Sequence, residues 1–224
     1  MRILIGIQAR MTSKRLPGKV LKKVNGIPII EYLLKRVGFL SENQKVYVLT
    51  SKEKSDDPIV NYCQKKKINF FRGSLNNVHL RYTSFLEKYS GDAVVRISAD
   101  SPMLDYKLVE SMISLFQVSD YDILTNIFPR SFPSGQSVEI IRFQALNKIK
   151  KIISLTEREH VTKFFYNNHK NFKIYNIVCP YKHKNLKLSI DDLNDFNNFA
   201  KLIRRVGESF FHLSIKEIIT KWEK

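Results

Sequence analysis

Four cations stand close together near the start of the chain, Arg10, Lys14, Arg15 and Lys19, with Thr12, Ser13 and Gly18 among them. Hydroxyls and free backbone N–H groups supply hydrogen bonds and the cations offset negative charge, so the group suits a polyanion, most simply a triphosphate. Asp100 is the next candidate. It follows the apolar run Ala93 to Ile97 directly, at what would be the carboxyl end of a strand. A carboxylate there, facing a triphosphate loop, suits Mg²⁺, which takes one or two carboxylates and fills its shell with phosphate oxygens. The competing reading has Asp100 cap a helix near Asp105 or close a turn before Pro102. Neither Gly-x-x-x-x-Gly-Lys-Ser/Thr nor Gly-x-Gly-x-x-Gly occurs in the loop, which disfavours P-loop and dinucleotide-binding enzymes.

The elements that must hold these residues can be read from periodicity. Ile3, Leu4, Ile5 and Ile7 form a run expected of a strand buried on both faces. Apolar positions 29, 30, 33, 34 and 37 make a helical stripe, with Pro28 suited to its first turn and Gly38 to its stop. Lys45 to Thr50 reads as a strand. A helix starting at Ser55-Asp56-Asp57-Pro58 turns Ile59, Val60 and Cys63 inward, and Ile68 to Phe71 is a short strand. A helix then opens at Asn76, with His79 exposed upon it. Ala93 to Ile97 is a strand, Leu108 to Phe116 an amphipathic helix, and Tyr121 to Thr125 a further strand. This alternation predicts an α/β fold, a mostly parallel twisted sheet with helices on both faces.

The pattern loosens after residue 125. Asn126 to Val138 reads as loop, interrupted by Pro129, Pro133 and Gly135. Thr156 and Glu159 have capping-box spacing, as do Ser214 and Glu217 before a terminal helix that turns Ile218, Ile219 and Trp222 inward. Leu186 to Ile190 reads as a strand ended by Asp191, followed by a helix capped by Asp192 or Asp195. One domain over residues 1–224 is expected, with residues 1–125 as its nucleotide-binding half and 126–224 as its acceptor and dimerisation half.

Thirty-eight Lys and Arg against twenty-one acids give a net charge of +17, which invites a nucleic-acid reading. The cations are spread along the chain, however, and no zinc spacing, RNP-like string or helix-turn-helix accompanies them. Attraction of anionic substrates uses the charge more economically. Cys63 and Cys179 fit no metal spacing and suit a reducing compartment. With a strand at the N-terminus and no membrane-length apolar run, the sequence reads as cytoplasmic, without signal peptide or membrane span.

The string Gln8-Ala9-Arg10-Met11-x-Ser13-x-Arg15-Leu16-Pro17-Gly18-Lys19-Val20-Leu21 resembles the signature loop of cytidylyltransferases that activate acidic sugars, such as the Kdo and acylneuraminate enzymes. The nearest likeness is to their spore coat polysaccharide biosynthesis protein F branch. The resemblance implies the nucleotide-diphospho-sugar transferase fold, a GT-A-like Rossmannoid. It also implies CTP as substrate, with Gln8, Ala9, Arg10, Ser13, Arg15 and Lys19 in the nucleotide loop and Arg10 and Lys19 on the phosphates. Ile97-Ser98-Ala99-Asp100-Ser101-Pro102 is similar to the family's metal-binding Gly-Asp-x-Pro segment, and Leu186 to Phe196 to the stretch carrying a second metal carboxylate, here Asp191. Ser98 and Asp100 thereby join the nucleotide site. Arg72 does too, unless it merely pairs with a surface carboxylate. Gln136, Glu139, Arg158 and His160 match acceptor-side segments, although alternation through Val138, Ile140 and Phe143 could equally put Glu139 on the outward face of a strand. Departures fall at Asn76, Asn77, Leu80 and Ser137, where the family carries acids.

The implied reaction is nucleotidyl transfer. An acceptor oxygen attacks the α-phosphate of CTP and pyrophosphate leaves, with Arg10, Lys19, Asp100 and Asp191 as catalytic residues and Mg²⁺ on the two aspartates. The acceptor would be a sugar or sugar phosphate, and a homodimer follows by analogy. Two rivals stand beside this reading: a glycosyltransferase or other NTP transferase of the same fold, and a basic nucleic-acid-binding protein.

Overall fold

The computed structural model describes residues 1–40, 44–183 and 186–222. Strand β1 (Ile3–Gln8) is followed by a hairpin of β2 (Lys23–Val24) and β3 (Ile27–Pro28) and by helix α1 (Ile29–Val37). Then come β4 (Lys45–Ser51), α2 (Asp57–Lys65), β5 (Phe70–Gly73), α3 (Val78–Tyr89), β6 (Ala93–Ser98) and α4 (Tyr106–Gln117). The remainder holds β7 (Ile123–Thr125), β8 (Glu139–Arg142), α5 (Phe143–Ile149), α6 (Leu155–Glu159), α7 (Lys163–Asn167), β9 (Ile174–Asn176), α8 (Leu193–Val206) and α9 (Ile215–Trp222). No helix among the described residues is long and apolar enough to cross a membrane.

The strands form a seven-stranded sheet in the order β5-β4-β1-β6-β8-β7-β9. Strands β5, β4, β1 and β6 are mutually parallel, β8 runs against both of its neighbours, and β9 is parallel to β7. The α/β expectation is met, with β8 adding two antiparallel joints that the sequence pattern did not carry. Ile3, Ile5 and Ile7 pack with Leu33 of α1, Ile59 of α2 and Met112 and Phe116 of α4. Leu4, on the opposite face, meets Tyr82, Phe85 and Leu86 of α3, with Leu146 and Phe165 beyond them. Two covered faces account for the unbroken apolar run of β1. A third cluster joins Ile29 and Tyr32 of α1 to Phe199 and Ile203 of α8 and Ile218 of α9, seating the C-terminal helices.

From β1 the chain first winds outward through β4 to β5 and then returns to β6 on the other side. Strand order therefore reverses between β1 and β6, whose last residues, Gln8 and Ser98, lie side by side. Open sheets bind ligands in the crevice beyond such a pair of carboxyl ends.

Two local expectations are corrected. Leu186 to Ile190 do not form a strand. They make one bridge, between Ser134 and Lys187, because the facing segment turns away at Gly135. The segment is held instead by single bonds, Leu188 N–H to the Ser134 carbonyl at 2.8 Å and Ile190 N–H to the Asp100 carbonyl at 2.8 Å. The second bond brings Asp191 beside Asp100. The capping box before α6 is Ser154 with Glu157, not Thr156 with Glu159, because the helix starts two residues earlier than the pattern suggested. Glu159 is thereby released from capping. Asp192 caps α8 by accepting from the Asp195 N–H at 2.9 Å.

Gly135 deserves a test of its own, since it lets the two segments approach. Its φ is +91°, and a Cβ there would stand 2.5 Å from the Leu188 carbonyl carbon and the Ser189 nitrogen. Gly135→Ala is expected to destabilise the fold by about 2 kcal/mol or more, measured by denaturant unfolding.

Candidate active site

The crevice at β1 and β6 is a cleft of about 700 Å³ lined by Gln8, Arg10, Ser13, Arg15, Lys19, Ser98, Asp100 and Asp191, with Asn76 and Glu159 at its sides. Lys19 is its centre. The loop after β1 closes where the Gly18 N–H meets the Met11 carbonyl at 2.9 Å, and Gly18, at φ +67°, starts a short helical turn that directs Lys19 inward. The nearly buried Lys19 Nζ donates to Asp100 Oδ2 at 2.6 Å, to Asp191 Oδ1 at 3.0 Å and to the Ile190 carbonyl at 2.8 Å. Arg15 Nη2 stands 3.3 Å from the same Asp191 oxygen. Partial burial pushes the Asp191 carboxyl up, but the hydrogen bond and charge of Lys19, with Lys187 and Arg15, bring it below the usual carboxylate range. It therefore stays ionised at neutral pH.

Two carboxylates sharing one ammonium already form a cation site. Among the described residues no group of three His, Cys, Asp or Glu side chains is placed to hold a metal. A divalent ion on Asp100 and Asp191 would thus take its other ligands from phosphate oxygens and water, the habit of Mg²⁺. The residues fit that ion, provided the Lys19 ammonium moves away from between them.

One supporting residue escaped the sequence reading. Asp56 is fully buried and accepts hydrogen bonds from Met11 N–H at 2.7 Å, Ser51 N–H at 3.2 Å and Ser51 Oγ at 2.5 Å. It pins the cationic loop to the end of β4. In Ser55-Asp56-Asp57-Pro58 the pattern signals a helix start, and Asp57 does open α2; nothing in the spacing shows that Asp56 turns inward.

Of the residues singled out from sequence, Gln8, Arg10, Ser13, Arg15, Lys19, Ser98, Asp100 and Asp191 share this cleft. Arg10 pairs across it with Glu159 at 3.5 Å. The Ala9 side chain is buried beneath the loop, and its N–H meets the Leu49 carbonyl at 3.0 Å. Arg72 lies outside the cleft lining and pairs with Asp57 at 2.7 Å. Gln136 and Glu139, matched to acceptor-side segments, both lie outside the cleft lining. Gln136 is fully buried, accepting from Asp105 N–H and donating to the Met103 carbonyl. Glu139 is not on an outward face, because β8 is an interior strand; it is buried and bonded to Arg96 and to the Tyr166 hydroxyl.

Arg158 and His160 do not line the cleft, whereas Glu159 between them does. His79 is buried rather than exposed, with Nε2 3.0 Å from the Leu146 carbonyl, and burial lowers its pKa. Where the resembled family carries acids, Asn76 lines the cleft, Asn77 caps α3, Leu80 is exposed and Ser137 accepts from Arg130.

A cationic loop, a carboxylate past the end of β6 and a second one before α8 meet at the switch point of a largely parallel sheet, the arrangement of an α/β nucleotidyltransferase. Residues 4–211 match the cytidylyltransferase family model, and the chain belongs to that family of nucleotidyltransferases. It is 32% identical to an uncharacterized protein of Methanocaldococcus jannaschii, over all of this chain and 91% of the other. It is 29% identical to the spore coat polysaccharide biosynthesis protein SpsF of Bacillus subtilis, over 97% of this chain and 92% of that one. Among solved structures, a cytidylyltransferase from Leptospira borgpetersenii superposes with a TM-score of 0.93 at 31% identity, covering 98% of this chain and 93% of the other. A CMP:2-keto-3-deoxy-manno-octonic acid synthetase complexed with CTP superposes at 0.70 with 15% identity, over 92% and 99% of the two chains, a likeness of fold.

The lysine bridge has a measurable consequence. Lys19→Gln removes the ammonium that competes with a divalent ion, so Mn²⁺ binding without nucleotide, followed by electron paramagnetic resonance, is expected to tighten about tenfold. Unchanged Mn²⁺ affinity would count against the two aspartates as the metal site.

Proposed function

We propose that this cleft transfers the cytidylyl group of CTP to an oxygen of a sugar or sugar-phosphate acceptor and releases pyrophosphate, in the cytoplasmic synthesis of precursors for surface polysaccharide or glycoconjugate. The observation that carries the reading is the meeting of Lys19 with Asp100 and Asp191 at the carboxyl ends of the sheet. Supporting it, the relative in Bacillus subtilis is named for polysaccharide biosynthesis and the fold recurs in a synthetase complexed with CTP.

In this reading Arg10, Arg15 and Lys19 hold the β- and γ-phosphates, and the Ser13 hydroxyl donates to a phosphate oxygen. Entry of the triphosphate draws Arg10 from Glu159 and Lys19 from the aspartates, exchanging carboxylate partners for phosphate ones. Asp100 and Asp191 would hold Mg²⁺, which when bound would neutralise charge on the reacting phosphate. The acceptor oxygen attacks the α-phosphorus in line and the bond to the β-phosphate oxygen breaks. Such chemistry asks for positioning and charge neutralisation rather than a side-chain nucleophile.

The test is pyrophosphate release from CTP and Mg²⁺ with a panel of acidic sugars and sugar phosphates. Asp100→Asn and Asp191→Asn are each expected to lower turnover by about two to four decades while the folded protein keeps its melting temperature. Near-full turnover by Asp100→Asn with the productive acceptor would remove the metal assignment.

A further inference from the structure

The two oxygens of Asp191 have separate partners. Oδ1 is on the cleft side, with Lys19 Nζ at 3.0 Å and Arg15 Nη2 at 3.3 Å. Oδ2 turns the other way, accepting from the Ser189 hydroxyl at 3.3 Å and pairing with the Lys187 ammonium at 3.4 Å. Side chains alternate along an extended stretch, and Leu188 and Ile190 belong to the third hydrophobic cluster. Lys187, Ser189 and Asp191 therefore fall together on the opposite side.

Lys187 is itself fixed. Its backbone bridges to Ser134, and its ammonium is bonded to Asp195 and stands 3.7 Å from Asp192 Oδ2. Asp195, nearly buried, accepts from the Asp191 N–H at 2.8 Å and the Asp192 N–H at 3.2 Å. The cation beside Oδ2 is thus anchored to the same backbone that carries Asp191. It lies outside the cleft lining, so a triphosphate that draws off Lys19 and Arg15 does not compete for it. Asp100 has no such hold. Its oxygen not bonded to Lys19 meets only the Ser101 hydroxyl, at 3.4 Å, among the described residues.

We propose that Lys187, with Ser189, makes Asp191 a one-oxygen ligand and so sets the choice of divalent ion at the cleft. This rests on the metal reading above and adds what that reading leaves open, the residue that selects among ions. Mg²⁺ demands a compact octahedral shell and is satisfied by single carboxylate oxygens and water. Ca²⁺ is larger, accepts more ligands and readily takes a carboxylate by both oxygens. With Oδ2 engaged by Lys187 and Ser189, Asp191 offers Oδ1 alone, which suits Mg²⁺ and denies Ca²⁺ a ligand. Partners that orient a ligating side chain from behind tune a metal site in just this manner.

The experiment follows Mn²⁺ binding to the full chain without nucleotide by electron paramagnetic resonance, with Mg²⁺ and Ca²⁺ each as competitor. Removing a nearby cation strengthens all divalent ions alike, and a loosened fold weakens them alike. The readout is therefore the ratio of the Ca²⁺ and Mg²⁺ competition constants, in which both effects cancel. In Lys187→Met the ratio is expected to move about fivefold toward Ca²⁺, and in Lys187→Arg to stay within about twofold of the wild type. Ser189→Ala, which changes no charge, moves it the same way by a smaller factor and serves should Lys187→Met fail to fold. An unchanged ratio in a folded Lys187→Met, or in Ser189→Ala if that variant alone folds, overturns the proposal whatever the absolute affinities do. If Asp191→Asn abolishes Mn²⁺ binding while the ratio stays put, the metal reading stands and the proposal alone is overturned. Mn²⁺ binding undiminished in Asp191→Asn overturns the metal reading, and the proposal with it.

Discussion

The contact around which the cleft is built, and on which the proposed activity rests, is the ammonium of Lys19 lodged between the carboxylates of Asp100 and Asp191. The three groups come from the loop after the first strand, the tip of β6 and the entrance to α8. The carbonyl of Ile190 completes the hydrogen-bond shell of the ammonium between the two carboxylates, which a partly buried charge requires. The same arrangement is ready for exchange. In the proposed reaction a triphosphate would offer Lys19 oxygen partners and a divalent ion would offer the aspartates a cation, so the groups now paired with one another would each gain a partner from the ligand complex.

That arrangement is backed by polar groups buried for positioning. Arg36 of α1, fully enclosed, donates to the carbonyls of Leu104, Phe210 and Leu213, and burial pulls its pKa down to about 10. It ties the segment just past Asp100 to the chain before α9. Gln136 holds the same segment through Met103 and Asp105, and Asp105 in turn accepts from the Ile215 N–H at 2.7 Å. Asp56 does the equivalent for the cationic loop. Buried donors and acceptors with fixed partners admit few alternative geometries, and this is how a site made of distant segments keeps its spacing.

Much of this was legible in the sequence, and the misses share a cause. The first strand and its loop stood out because a strand covered on both faces must be apolar throughout, and because cations gathered at its end have few structural uses. Asp100 was readable from its place after an apolar run. The burial of Glu139 was not legible because alternation along β8 cannot distinguish an outward face from one covered by helices, where Arg96 pairs with the acid and the Tyr166 hydroxyl donates to it. His79 fails in the same way: a polar side chain on an amphipathic element is taken as exposed unless its partner, here the Leu146 carbonyl, is known. The capping boxes before α6 overlap, Ser154 with Glu157 and Thr156 with Glu159, and spacing alone cannot rank them. Leu186 to Ile190 had the composition of a strand but no neighbour able to continue the ladder past one rung.

The reach of Lys19 to Asp191 also bears on the order in which the molecule is made. During synthesis the strands β1, β4, β5 and β6 can pair as soon as they emerge, and Lys19 can find Asp100 then. Its second carboxylate arrives only with residue 191, ahead of α8 and α9, whose apolar faces cover Ile29 and Tyr32. A polypeptide halted before that residue would own the sheet and the cationic loop with Asp100 alone beside Lys19, and the second anchor of the ammonium would be missing.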